Sequence, residues 1–213
     1  MNIKEIVEAT LIELDRGTES DTVAMYMKKF TMYANEAVEE IARRFKVCDV
    51  GFPQLSGDQY PGFDLTTGAF SHAAKRITRI LPATAAGNEF DIDYNARPYD
   101  FQQFIHGVPY IHVTDRRAKA GDYVYVEYRY VPNPMSAEED PDHPGSWDSP
   151  DLPEYLHRLI PLYVRAREQC GQDPSTQGTS SAYFSLFNQA VYNLQRETLA
   201  TPDSFQFKNY HFE

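Results

Sequence analysis

The stretch SDTVAMYMKKFTMYANEAVEEIARRF, residues 20–45, carries the most regular periodicity in the chain. Val23, Met27, Phe30, Ala34, Ala37, Val38, Ile41 and Phe45 recur at three- and four-residue spacing, which predicts a helix from near Ser20 or Asp21 with one apolar stripe. Lys28, Lys29, Glu36, Glu39, Glu40, Arg43 and Arg44 fall on the other side and read as a solvated, mixed-charge face. A single stripe must be buried against further elements, and the flanking sequence supplies them.

Upstream, Ile3, Ile6, Val7, Leu11 and Leu14 keep the same spacing, opened by Asn2 and Glu5 in capping-box register. The run Asp15-Arg16-Gly17 reads as the stop, with Gly17 the residue able to turn left-handed. Downstream of Phe45 the period shortens, and Gly, Pro, Asp and Asn punctuate β-branched and aromatic segments. Strands are expected over 76–81, 89–94, 110–113 and 122–130, with another around 101–104. The clearest is DYVYVEYRY, residues 122–130, where Val124, Val126 and Tyr128 share one face and Tyr123, Tyr125 and Glu127 the other.

VPNPMSAEEDPDHPGSWDSPD, residues 131–151, holds five prolines and six carboxylates without periodicity and reads as a linker. Helical spacing resumes at Leu152, Tyr155, Leu156, Leu159, Ile160 and Tyr163, with Asp151 and Glu154 in capping-box register and Pro161 expected to kink the helix. After the polar stretch 171–181, a last helix carries Tyr183, Leu186, Phe187, Ala190, Val191 and Leu194. The expected fold class is α+β, an antiparallel bundle of four main helices with an inserted β-rich module and an extended C-terminal tail. Its parts are a helical bundle of 1–45 and 151–200, a β-rich insertion of 46–133, an acidic Pro-rich linker of 134–150 and a tail of 201–213.

Composition narrows the function. The net charge of -11 argues against electrostatic wrapping of nucleic acid, which draws its affinity from Lys and Arg on phosphates. The 15 Tyr and 13 Phe exceed what one core needs and point to interfaces. Cys48 and Cys170 are far apart, so two reduced thiols are expected. No apolar run approaches a membrane span, and the first 17 residues lack the pattern of a signal peptide, so a soluble protein without membrane contact is expected.

His72, His106, His112, His143, His157 and His211 are scattered outside any metal-ligand spacing. Residues 140–148 echo the start of a calcium loop, but Pro141 and Pro144 interrupt it and the closing Glu is missing. No nucleophile elbow, phosphate loop or dinucleotide fingerprint is present, so no catalytic residue, metal or cofactor is expected. Basic residues gather at Lys75, Arg76 and Arg79 and at Arg116, Arg117 and Lys119, suited either to DNA or an acidic neighbouring subunit or to ordinary hairpin tips. The alternating Tyr123 and Tyr125 suit a contact face better than a sugar-stacking platform.

Three local features resemble head-to-tail adaptor (connector) proteins of tailed bacteriophages. These are VYVEYRYVPNP (124–134) running into an acidic segment; Leu152-Pro153-Glu-Tyr-Leu156-His157 followed by PLYVRAREQ (161–169); and SAYFSLFNQAVYNLQ (181–195). With the N-terminal helix pair they cover most of the chain. The resemblance implies a structural, non-enzymatic virion protein at the neck, assembled in the host cytoplasm as a homo-oligomeric ring, usually of twelve subunits in such adaptors. It implies a portal protein above, tail or nozzle proteins below and passing DNA in the channel without sequence-specific contact. By position, Phe205, Phe207, Tyr210 and Phe212 would anchor the tail in the portal; from their own charge and alternation, Arg116, Arg117, Lys119, Tyr123 and Tyr125 are the expected contacts to neighbouring subunits or tail proteins. A stopper or tail-completion subunit, a carbohydrate-binding module and a hydrolase are the rival readings, the last lacking any motif.

Overall fold

The computed structural model describes residues 1–57, 61–87, 89–103, 110–143, 145–170 and 177–199. The chain divides into two compact units, a helical unit of Met1–Phe45 with Pro132–Glu213 and a β unit of Lys46–Val131.

In the helical unit, α1 spans Ile3–Glu13 and begins with the expected capping box: Asn2 Oδ1 accepts from Glu5 N at 2.9 Å, and Glu5 Oε2 accepts from Asn2 N at 3.0 Å. Its C-terminus turns at Asp15, φ 52°, not at Gly17. Arg16 N donates to Leu11 O at 2.9 Å and Asp15 N to Ile12 O at 3.0 Å, the two bonds of a Schellman cap. An Asp tolerates the left-handed region better than most side chains, so the cap forms two residues before the glycine.

Helix α2, Ser20–Phe45, buries the predicted stripe from Val23 to Ile41 against α1 and α3, the latter spanning Leu159–Cys170. Its polar side is not simply solvated. Lys29 Nζ lies 2.6 Å from Glu168, Arg167 Nε donates to Glu36 at 2.8 Å, and Arg44 Nη1 donates to Asn188 at 2.7 Å. Glu168 is 2% exposed and also receives Arg16 at 3.4 Å, so one buried carboxylate ties α3 to α2 and to the end of α1.

The third helix starts later than its spacing suggested. Glu154–Leu156 form a single 3₁₀ turn capped by no side chain, and Asp151 instead accepts Asn133 N at 2.8 Å. Pro161 thereby falls third in α3, where an N–H has no intrahelical partner to lose, and the expected kink is avoided. Helix α4, Gln177–Leu199, lies along α3 and buries Phe187, Val191 and Leu194.

Residues 132–143 and 145–151 form a strap on these helices. The Asn35 amide brackets Met135, donating to its carbonyl at 3.1 Å and accepting from its N–H at 2.9 Å. Asp148 O accepts Ile3 N at 2.8 Å, satisfying one open donor of α1, while Asp148 Oδ2 accepts Ser136 N at 2.7 Å.

Among its described residues the β unit has seven strands: β1 Cys48–Gly51, β2 Gly62–Asp64, β3 Ala74–Ala86, β4 Glu89–Ile92, β5 Phe101–Gln103, β6 Tyr110–Val113 and β7 Tyr123–Tyr130. They pair antiparallel in a four-stranded sheet of order β1-β7-β3-β4 and a three-stranded sheet of order β2-β6-β5. Leu55, Phe63, Ile77, Ile80, Ile111, Val113, Val124, Val126 and Tyr128 form a core of the unit's own. Gly51 is required here, because a Cβ would sit 2.7 Å from Ala69 O and 2.8 Å from the Phe70 ring. Two register shifts in β3, between Ala74 and Arg76 and between Ile77 and Arg79, keep Ile77 and Ile80 facing inward despite their three-residue spacing.

A four-helix bundle with a subsidiary β insertion therefore fits only in part. The β unit is a curled antiparallel sheet with its own core, and among the helices α1, α2 and α3 pack on one another while α4 rests chiefly on α3. Helical stripes dominate the sequence because they are long; β1 and β2, at four and three residues, are too short to show an alternation.

Candidate functional site

The register of the four-stranded sheet decides which side chains share its outer face. Val124, Val126 and Tyr128 of β7 point into the core, so Tyr123, Tyr125, Glu127 and Arg129 point out. Opposite them across β3 stand Ala83, Leu81, Arg79 and Arg76, and on β1 Val50 and Cys48 oppose Glu127 and Arg129. β4 adds Phe90 and Ile92 beside Ala85 and Ala83.

One end of this face is a set of interlocked rings. Phe52 stacks on Phe90 at 4.4 Å, Tyr123 tilts against Phe90 at 5.2 Å, and Phe52 and Tyr94 meet Tyr125 edge-on at 5.7 Å and 5.9 Å. Leu81 is fully buried beneath them, whereas Tyr94 is 58% exposed. A solvated face of an antiparallel sheet is normally polar, and this end of the face is aromatic instead. Burial, then the Glu127 charge, raises the Tyr125 hydroxyl above its ordinary pKa, and the ring stays neutral.

The other end is cationic. Arg76 and Arg129 stand directly opposite each other, Arg79 donates to Tyr94 O at 3.3 Å, and Arg129 Nε is buried with no hydrogen-bond partner among the described residues. Like charges across a strand pair are unfavourable in isolation. Cys48 is exposed at this end, its thiol pushed up first by burial and then by Glu127, and both cysteines are free.

On the inner side Asp49 accepts from the Tyr128 hydroxyl at 2.9 Å and lies 2.8 Å from His72 Nδ1, whose ring stacks on Tyr130 at 4.3 Å. Burial, followed by the Asp49 hydrogen bond, pushes Tyr128 up to about 12. Burial opposes ionisation of Asp49, but hydrogen bonds from His72, Val50 N–H and Tyr128 outweigh it and hold the carboxyl below its ordinary range. The cluster fastens β1 to β7.

The expected contact residues separate. Tyr123 and Tyr125 join the ring cluster, while Arg116, Arg117 and Lys119 occupy the turn before β7. Arg117 is committed internally: it pairs with Asp115 at 2.6 Å, donates to the carbonyls of Arg97 and Pro98 and lies over Tyr99. Its hydrogen bonds hold Asp115 well below the carboxylate range. Arg116 and Lys119 are exposed. Phe205, Phe207, Tyr210 and Phe212 lie outside the described residues, as do His106 and His211. Phe52, Phe90 and Tyr94 escaped the sequence reading, since only the pairing of strands distant in sequence brings them beside Tyr125.

Among the described residues no group of three or more His, Cys, Asp and Glu could hold a metal ion, and no helix is long and apolar enough to cross a membrane. The family model described as SU10 adaptor protein matches residues 1–205 of the chain. No curated protein matches it.

Proposed function

The chain belongs to the SU10 adaptor protein family of phage head-to-tail adaptors, structural proteins of the virion neck, and on that premise we propose that it is one subunit of a homo-oligomeric ring joining the portal to the tail. The family match over residues 1–205 carries this reading. Two features support it. The outer face of the four-stranded sheet presents Tyr94, Tyr123 and Tyr125 in an arrangement suited to protein contact. The segment 201–213 concentrates Phe205, Phe207, Tyr210 and Phe212 in thirteen residues, anchors of the kind that fill grooves in a partner such as the portal.

Tail or nozzle proteins would meet the opposite side of the ring, and DNA would pass through its channel without sequence-specific contact. The charge of -11 suits a channel wall to which DNA does not adhere. Electron microscopy of the full chain mixed with its portal ring tests the reading. Rings stacked on the portal are expected, together with loss of docking when residues after Thr201 are removed. A protein that remains monomeric with the portal and never binds it would refute the proposal.

A further inference from the structure

The strongest unexplained feature of the β unit is the juxtaposition on one sheet face of a cluster of half-buried aromatic rings, with Tyr94 exposed at its edge, and three arginines. Arg76 opposes Arg129, the Nε of Arg129 is buried without a partner among the described residues, and Tyr94 is largely open to solvent. A partner for this face must supply both apolar surface and negative charge.

The chain itself carries such a surface. Of its 20 Lys and Arg and 31 Asp and Glu, nine and ten lie in residues 46–131. The helical unit's residues therefore hold eleven and twenty-one, a net of -10 against -1 for the β unit. Residues 134–151 contribute six carboxylates and no Lys or Arg, with Glu138, Glu139 and Asp142 exposed. The helices also leave Met25, Met32 and Tyr192 exposed, by 74%, 54% and 59%.

We infer that the outer face of the four-stranded sheet receives the acidic helical unit of a second copy of this chain, with Arg76 and Arg129 facing the partner copy's strap. The inference rests on the ring reading and adds to it which surfaces meet. Symmetry narrows the geometry further. Two copies of the sheet face placed against each other would offer its arginines chiefly rings or other arginines, with Glu127 already opposite Arg79, so the acidic helical unit is the better-matched surface. A contact between unlike surfaces propagates from copy to copy, as a closed ring where the rotation closes and as an open filament where it does not, and the adaptor reading calls for the ring. Opposed charges at the rim chiefly set association rate and register, and the rings supply most of the affinity.

Cys48, exposed and in register with Arg129, allows a direct test. In a full-length Cys170→Ser, Glu138→Cys protein, mild oxidation is expected to yield a ladder of covalent dimers, trimers and higher species, absent when Cys48→Ser is added. Arg76→Glu with Arg129→Glu should lower the ladder yield roughly tenfold, and adding Asp142→Lys should restore part of it. Circular dichroism shows whether each variant is folded.

If the charge reversals prevent folding, the Cys48-dependent ladder of the otherwise unaltered face decides alone. Products that stop at the dimer, or no Cys48-dependent product either free or on the portal, overturn the contact. Retardation of duplex DNA that disappears with the two arginines, in the absence of a ladder, overturns it in favour of a nucleic-acid face. Failure of the ladder with portal rings still forming removes this contact and leaves the adaptor reading intact; failure of both removes both.

Discussion

Replacing Glu168 by Gln keeps the side chain's volume and removes the charge that three helices share. At 2.6 Å the gross attraction to Lys29 is about 6 kcal/mol at an effective dielectric constant of about 20, and much of it is offset by withdrawing Glu168 from water. Lys29 is 45% exposed and Arg16 only 26%, so the released ammonium recovers its hydration more easily than the guanidinium does. The loss should therefore fall below the roughly 3–5 kcal/mol of a fully buried broken pair and above the roughly 1 kcal/mol ceiling of an exposed one. We expect about 2–3 kcal/mol, measured by urea unfolding followed through the helical circular dichroism band. A cycle with Lys29→Met should show a coupling of about 1 kcal/mol or more. A loss under about 0.5 kcal/mol, within the range of ordinary surface substitutions, refutes the view that Glu168 fastens the helices.

Pro161→Ala should lower helical-unit stability by about 1 kcal/mol, because the third residue of α3 has no intrahelical bond to regain while the buried ring is lost and the unfolded chain gains freedom; urea midpoints check this. Asp15→Gly should raise stability by about 0.5–1 kcal/mol by removing the cost of a left-handed Asp, read as a higher midpoint at unchanged slope. Asp49 is held below its ordinary pKa, so its contribution to the β unit is complete above its unfolded value of 3.8 and is lost as pH falls below that through the folded value. The wild type should therefore lose β-unit stability on acidification in that window, and Asp49→Asn should flatten this part of the profile; identical slopes would contradict the assignment.

The sequence made the local, periodic elements readable. The α2 stripe, the Asn2–Glu5 box and the alternation in β7 each depend on residues a few positions apart, where spacing alone carries the signal. Other features depend on partners distant in the chain. Phe52, Phe90 and Tyr94 become one cluster with Tyr125 only through strand order β1-β7-β3-β4, and the Asp49–Tyr128 bond joins residues 79 positions apart. Pro161 was misjudged because its position relative to the helix start, not its presence, sets the cost. For Glu168 a signal existed: it stands four residues after Val164 and eight after Ile160, on the buried stripe of α3, where a lone carboxylate announces cationic partners.

The pairing of β1 with β7 sets Cys48 opposite Arg129, so the chain enters and leaves the β unit on neighbouring strands, about 5 Å apart. An insertion with adjacent ends is a cassette. It can be exchanged, enlarged or reduced to a short turn between Phe45 and Pro132 without stretching the helices on either side. Changes of length or sequence inside residues 46–131 therefore need not be transmitted to the helical unit through the chain connections.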